Sequence, residues 1–332
     1  MEIVLGIIGV ILIVAFGWLL SINGNYHVKR SIAVDTSKEK AYQLISDFNS
    51  WRSWSPWLCM EAEADVKISN NGKGVGAINS WVGSLVGSGE IEHIALKENE
   101  HINQQIRFIK PFKSKSDVYW QFKELESGCE ITWGMKGAMP FFLKFMAKQM
   151  EPWIGMDYER GLKMIKDQIE KGKIDSEITI NGVDELESFN YVAINKTCLM
   201  ADVGSSMKEA FGQINTLCES ESIEHDWAFS IYHQFDFTKP DCNYSSGVPL
   251  KHEVECGDEF KRGIYPGIKA VKVSFKGDYE HLGNAWAAAY SYLRYKKLKA
   301  NKKIDPIELY LNDPTKETDP ANWLTAIYIP IK

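Results

Sequence analysis

The residues with the most chemistry to offer in this 332-residue chain are Glu308 and Tyr310, which alternate with Ile307, Leu309 and Leu311. In an extended strand successive side chains point to opposite faces, so the three aliphatics share one face and the carboxylate and phenol share the other. Residues 229–234 repeat the arrangement, with Phe229 and Ile231 on one face and Ser230 and Tyr232 on the other. The aliphatic faces are expected to pack against helices. Pairing of the two strands would bring Tyr232, Tyr310 and Glu308 to one groove. A carboxylate ringed by aromatics suits a cationic or amphipathic organic ligand, through charge attraction and cation–π contacts of ~0.5–2 kcal/mol. A buried carboxylate with a raised pKa beside a tyrosine donor would also suit activation of water, the chemistry of a hydrolase. The competing reading of the same residues is an exposed strand carboxylate among ordinary sheet-face aromatics.

Nothing else in the order of residues spells out a reaction. No Ser-His-Asp or metal-ligand spacing stands out, and no cofactor is implied. His93 and His101 lie on or beside strands and read as surface or satisfied histidines. The cysteines at 59, 129, 198, 218, 242 and 256 are scattered without a C-x-x-C, which fits free thiols rather than zinc or redox chemistry.

The elements that must position Glu308 form a weak internal repeat. In the first half a strand at 191–195, a helix at 203–218 and strands at 229–234 and 247–254 are expected. In the second half a strand at 268–275, a helix at 281–299 and strands at 307–311 and 324–331 follow. Matching elements are offset by 75 to 78 residues, which predicts two βαββ units in tandem related by a pseudo-twofold. The helices carry apolar stripes, Met207, Phe211, Ile214 and Cys218 in one and Leu282, Trp286, Ala289 and Leu293 in the other.

Upstream, residues 28–34 alternate as a strand, and Asp35-Thr36-Ser37 offers caps for a helix carrying Ala41, Leu44, Ile45 and Phe48 on one face. A loop with Trp51, Trp54 and Trp57 follows, then strands expected at 62–69, 76–82, 88–96, 102–109, 116–122 and 129–136. A long helix after Pro152, striped by Ile154, Tyr158, Leu162, Ile165 and Ile169, closes the region. This stretch resembles the START-like SRPBCC superfamily in its polyketide cyclase/dehydrase-like branch. The resemblance rests on Ala41-Tyr42-x-x-Ile45-Ser46-Asp47-Phe48-Asn49-x-Trp51-x-x-Trp54-Ser55-Pro56-Trp57 and on the Gly74-x-Gly76 and Gly87-Ser88-Gly89 turns. It implies a helix-grip fold with a deep apolar cavity between sheet and closing helix, holding lipids or other hydrophobic molecules. Read alone, the tryptophans are those of an ordinary core.

The repeat region resembles the GyrI-like small-molecule-binding domain, also described as a bacterial effector-binding domain. Gly277-Asp278-Tyr279-x-x-Leu282, Ile307-Glu308-Leu309-Tyr310-Leu311-x-Asp313-Pro314 and the ending Leu324-Thr325-Ala326-Ile327-Tyr328-Ile329-Pro330-Ile331 carry the likeness. The resemblance implies that Glu308 lies at the floor of a ligand pocket and that Tyr279 and Trp286 lie near its mouth. Trp286 also sits on the apolar helix stripe, where it reads as core.

Residues 3–20 form an uncharged apolar run with Trp18 near its end, followed by Lys29 and Arg30. Eighteen residues at ~1.5 Å each just cross the hydrocarbon layer, so residues 1–22 are expected to be a signal anchor. The basic residues after it place a single-pass protein in the inner membrane with its soluble domains in the cytoplasm. The whole is thus an α+β chain: anchor at 1–22, START-like domain at 27–172 and GyrI-like domain at 175–332. A net charge of −6 without a basic run argues against nucleic acid as a partner. A membrane-tethered binder of hydrophobic or cationic small molecules leads. A hydrolase of reactive xenobiotics and a regulator binding a protein partner are the alternatives.

Overall fold

The computed structural model describes residues 2–235 and 241–332; the side chains of residues 2, 3, 5, 6, 9–13, 15 and 235 lie outside the description. The chain divides into two compact units. One comprises residues 1–55, 64–83 and 87–173; the other comprises residues 174–332 with the short stretches 56–63 and 84–86. Both are antiparallel sheets with helices, an α+β architecture.

The first unit opens with a 20-residue helix, α1 (Glu2–Ser21). The expected membrane anchor at 1–22 finds no support: among the described residues no helix is long and apolar enough to cross a membrane, and much of that run falls on side chains outside them. Next come β1 (Asn25–Val34), α2 (Lys38–Ser46) and the single turn α3 (Trp51–Trp54). Ser37 caps α2 by accepting from the Lys40 amide. The strands β2 (Asp65–Ile68), β3 (Ile78–Val82), β4 (Ser88–Lys97), β5 (His101–Lys110), β6 (Ser114–Glu124) and β7 (Cys129–Ala138) form a meander, and β1 joins the far side of β7. The closing helix α4 (Ala147–Glu170) packs on β1 and β7. It starts five residues before Pro152, which the sequence places at its beginning. A proline this near the first turn removes a single N–H from the ladder, so the helix continues through it.

Aromatic rings pack in the interior of this unit. Trp133 of β7 stacks on Tyr158 of α4 at 3.9 Å and on Trp120 of β6 at 4.2 Å, with Trp54 set edge-on to both tryptophans. His93 is also part of this core rather than the surface. It stacks on Phe48 at 4.0 Å, its Nε2 lies 3.0 Å from the Ser46 carbonyl, and its Nδ1 lies 3.2 Å from Gln104 Nε2. Trp120 Nε1 donates to Gln104 Oε1 at 3.0 Å, which completes the chain.

The second unit contains β8 (Ser176–Leu186), β9 (Phe189–Leu199), α5 (Val203–Ser220), β10 (Ala228–Phe235), β11 (Asp241–Leu250) and β12 (Lys261–Tyr265). The remaining elements are β13 (Ile268–Gly277), α6 (Leu282–Tyr295), β14 (Ile307–Tyr310) and β15 (Leu324–Pro330). The sheet order is β12-β9-β11-β10-β14-β15-β13-β8. Its centre holds the two βαββ repeats back to back, β9-β11-β10 against β14-β15-β13. The edge strands β8 and β12 fall outside the repeat and are not apparent in the sequence. Each pairs on one side only, so neither needs a continuous apolar pattern. The third strand runs over Asp241–Leu250 rather than 247–254, because its first half is built from Asn243 and Ser245 alternating with buried Cys242 and Tyr244. Helix α6 stops at Tyr295, four residues early, where Lys297 takes a left-handed φ of +54°.

One expectation is reversed. Phe229, Ile231, Ile307 and Leu309 do share a face, but it is turned away from the helices. Strands β12 and β13 are joined by residues 266–267 alone, yet stand near opposite ends of the sheet order. The sheet must therefore curl, and its inner face closes on a strand-only core that includes Tyr265, Ile268, Ala270 and Tyr328. Helices α5 and α6 cover the other face, the one that carries Glu308.

Candidate functional site

Strands β10 and β14 pair with Ser230 opposite Glu308. Strand parity then puts Ser230, Tyr232, Glu308 and Tyr310 on the helix-covered face, as their spacing requires. Helix α6 brings Trp286 over them. The chain reaches α6 through Gly277, whose φ of +136° excludes other residues; a Cβ there would lie 2.6 Å from the Asp175 carbonyl. Asp278 then caps the following turn by accepting from the Glu280 amide, which fixes Tyr279 beside Tyr310.

Glu308 is buried, with 2% of its surface exposed. Tyr310 and Tyr232 donate to its Oε2 at 2.6 and 2.8 Å, and Trp286 Nε1 donates to Oε1. All three donors are neutral. Burial pushes the Glu308 carboxyl above the ordinary carboxylate range, and the three donors oppose that shift without cancelling it. Burial, then the Glu308 charge, pushes the Tyr232 and Tyr310 phenols well above 10, so both remain donors. Tyr310 Oη also lies 3.2 Å from Ser230 Oγ, which is 2.7 Å from Ser246 Oγ.

Above Tyr310 the wall is half-buried. Tyr279 lies edge-on to it at 5.6 Å, and Phe211 of α5 does so at 5.5 Å. Met207 Sδ is 3.8 Å from its hydroxyl, and Trp323 lies against Tyr279 at 4.6 Å. The register also places Thr325 opposite Tyr310 on the same face, where its hydroxyl is buried and has no hydrogen-bond partner among the described residues.

The structure thus brings together all five residues singled out by sequence: Glu308, Tyr310, Tyr232 and Trp286 in direct hydrogen bonds, and Tyr279 one ring further out. Trp286 is both core and site, since its ring lies in the apolar cluster while its N–H holds the carboxylate. Met207, Phe211, Ser246 and Thr325 lie beside them, and the sequence does not single these out as candidates. For Met207 and Phe211 the signal is present in the helix stripe, but only a sheet turned with Glu308 toward the helices makes that stripe face the carboxylate. Among the described residues no group of three His, Cys, Asp or Glu is placed to hold a metal ion, and all six cysteines are free.

Fold and site together define an antiparallel sheet unit with a meander and a closing helix, followed by a repeat-built unit around one buried carboxylate. Comparison with known families agrees. Residues 26–170 match the model described as polyketide cyclase/dehydrase and lipid transport, and residues 183–332 match that of the GyrI-like small molecule binding domain. Comparison with curated sequences finds no significant match. Similar solved structures include an EcmrR–DNA complex, at 15% identity and TM-score 0.42 over 57% of this chain and 70% of that one. The EcmrR C-terminal domain, at 16% identity and TM-score 0.41, covers 47% of this chain and 98% of its own. The Aha1 dimer from Colwellia psychrerythraea, at 17% identity and TM-score 0.33, covers 44% and 98%. Likenesses this loose carry nothing about function.

Proposed function

We propose that the second unit binds a cationic, aromatic or amphipathic small molecule at Glu308. The observation that carries this reading is a buried carboxylate whose hydrogen-bond partners are two phenols and an indole, with no basic group among them. Neutral donors satisfy its lone pairs but leave the ionised form uncompensated in a poorly solvated place, which is costly unless the carboxyl takes up a proton or a cation arrives. The half-buried aromatics around Tyr310 supply π faces for that cation, and the Thr325 hydroxyl offers an unused polar contact. The family description of residues 183–332 as small-molecule binding supports the same reading.

Titration of the full chain with tetraphenylphosphonium, followed by tryptophan fluorescence and thermal shift, tests the proposal. Saturable binding that weakens at least tenfold in Glu308→Gln, roughly 1.4 kcal/mol, is the expected result. Equal affinity in the two proteins would sink the reading.

The apolar run at 3–20 supports a further element of the proposal, a form tethered to the inner membrane with both units in the cytoplasm. Fractionation of cells expressing the chain with and without residues 1–22 checks it: recovery of both in the soluble fraction rules tethering out.

A further inference from the structure

A second constellation lies on the opposite face of the same sheet. Ser245 alternates with Tyr244 and Ser246 on β11, so its side chain leaves the sheet away from Glu308. His233 sits at a bulge in β10, where the register to β11 slips between Tyr232 and Gln234. The odd-numbered positions of β10 leave the sheet on the face of Ser245, as Ile231 does directly opposite it. Here the imidazole turns so that Nε2 lies 2.7 Å from Ser245 Oγ while Nδ1 lies 2.8 Å from Asp305 Oδ2. Asp305 precedes Pro306, which restricts its backbone to extended conformations, and its carbonyl accepts from the buried Tyr265 hydroxyl at 2.7 Å. Hydroxyl, imidazole and carboxylate thus follow one another in line, with the two imidazole nitrogens in the order that nucleophilic acyl transfer requires. Asn195 Nδ2 lies 3.1 Å from Ser245 Oγ, where an amide donor would meet an oxygen bonded to the same carbon as the serine.

We propose that Ser245, His233 and Asp305 form a serine hydrolase site for small carboxylic esters. Ser245 is 7% exposed, whereas the His233 and Asp305 side chains are 32% and 42% exposed, so substrate approaches past the imidazole edge. Asn195, Asn243 and Thr197 line the adjoining surface through mutual hydrogen bonds, which favours a short, polar acyl group. Ser245 Oγ adds to the ester carbonyl carbon while its proton passes to His233 Nε2, and the carbonyl oxygen takes the negative charge beside Asn195. Collapse breaks the bond to the alkoxide, which leaves with the proton from His233. Water then adds to the acyl-serine, giving its proton to His233 Nε2, and collapse returns that proton to Ser245 as the carboxylic acid departs. The net change is ester plus water to acid plus alcohol. Asp305 holds the imidazole in the tautomer that accepts at Nε2.

The test uses the full-length chain with p-nitrophenyl acetate as substrate and a fluorophosphonate as covalent probe. Hydrolysis is expected to fall by about 100-fold or more in Ser245→Ala and His233→Gln, with a smaller loss in Asp305→Asn. The fluorophosphonate adduct should map to the peptide containing Ser245, and Ser220→Ala should keep the original rate. Asp305 is half-exposed, so Asp305→Asn reports on the site even if Ser245→Ala fails to fold. An undiminished rate in Ser245→Ala, an unchanged rate in Asp305→Asn, or an adduct at another serine would overturn the proposal.

Discussion

Each unit buries a polar group among aromatic rings, and the two do so differently. In the first, His93, Gln104 and Trp120 match donor to acceptor in a closed, neutral chain between strands. Burial pulls the His93 pKa down from 6.5 to about 4, so the imidazole carries no charge near neutrality. In the second, three donors converge on one carboxylate, and the charge has no opposite partner among them. A matched neutral chain serves packing. A charge surrounded by neutral donors waits for something.

The comparison can be broken most forcefully at Trp120. Its truncation to Ala removes a stacked ring and the partner of Gln104, and is expected to destabilise the first unit by about 3–5 kcal/mol in denaturant titration. If ligand binding at Glu308 survives in that variant, the two cores are independent.

Acid should separate the units next. His93 stays neutral in the folded chain, while the unfolded chain takes up a proton below 6.5, so the stabilisation is complete above 6.5 and is lost as pH falls toward 4. At pH 5 the loss is about 2 kcal/mol, and His93→Gln should flatten it. Glu308 runs the other way: its raised pKa means that the folded state holds the proton more tightly, so its contribution is full in acid and is lost as pH rises through the folded value. Parallel pH slopes for the two units, followed by hydrogen exchange of β5 and β14 amides, would refute the contrast.

Smaller effects sharpen it. Tyr310→Phe and Tyr232→Phe each remove one donor to the same oxygen and should cost about 1–2 kcal/mol each, measured by thermal unfolding. The smallest change is expected at Thr325→Val, which deletes a buried hydroxyl without a partner and should leave stability within about 0.5 kcal/mol. A loss of ligand affinity there without a loss of stability would place the hydroxyl in the binding site.

Much of this is legible in the residues. Strand parity alone sets Ser230, Tyr232, Glu308 and Tyr310 on one face, and the 78-residue offset pairs the strands that carry them. What parity cannot give is which face meets the helices. That depends on the curl closed by residues 266–267, and the aliphatics of β10 and β14 therefore turn toward strands instead. Nor can a repeat reveal β8 and β12, which lie outside it. The line from Ser245 through His233 to Asp305 is hidden for a different reason. It depends on Asp305, which lies in the connection ahead of β14, and on a register slip in β10 beside His233, and alternation along a strand reports neither.

The offset of 78 also maps residue 230 onto 308, and these two are paired with each other across the central strands. The approximate dyad of the unit therefore runs through the Ser230–Glu308 pair. Tyr232 and Tyr310 are its two symmetric mates, and both reach a single oxygen. Identical residues at this pair would be two glutamates facing each other on the axis, repelling, or two serines and no charge at all. The difference between Ser230 and Glu308 lets a symmetric pair of phenols share one anion. The repeat supplies the frame, and the departure from symmetry gives it a sign.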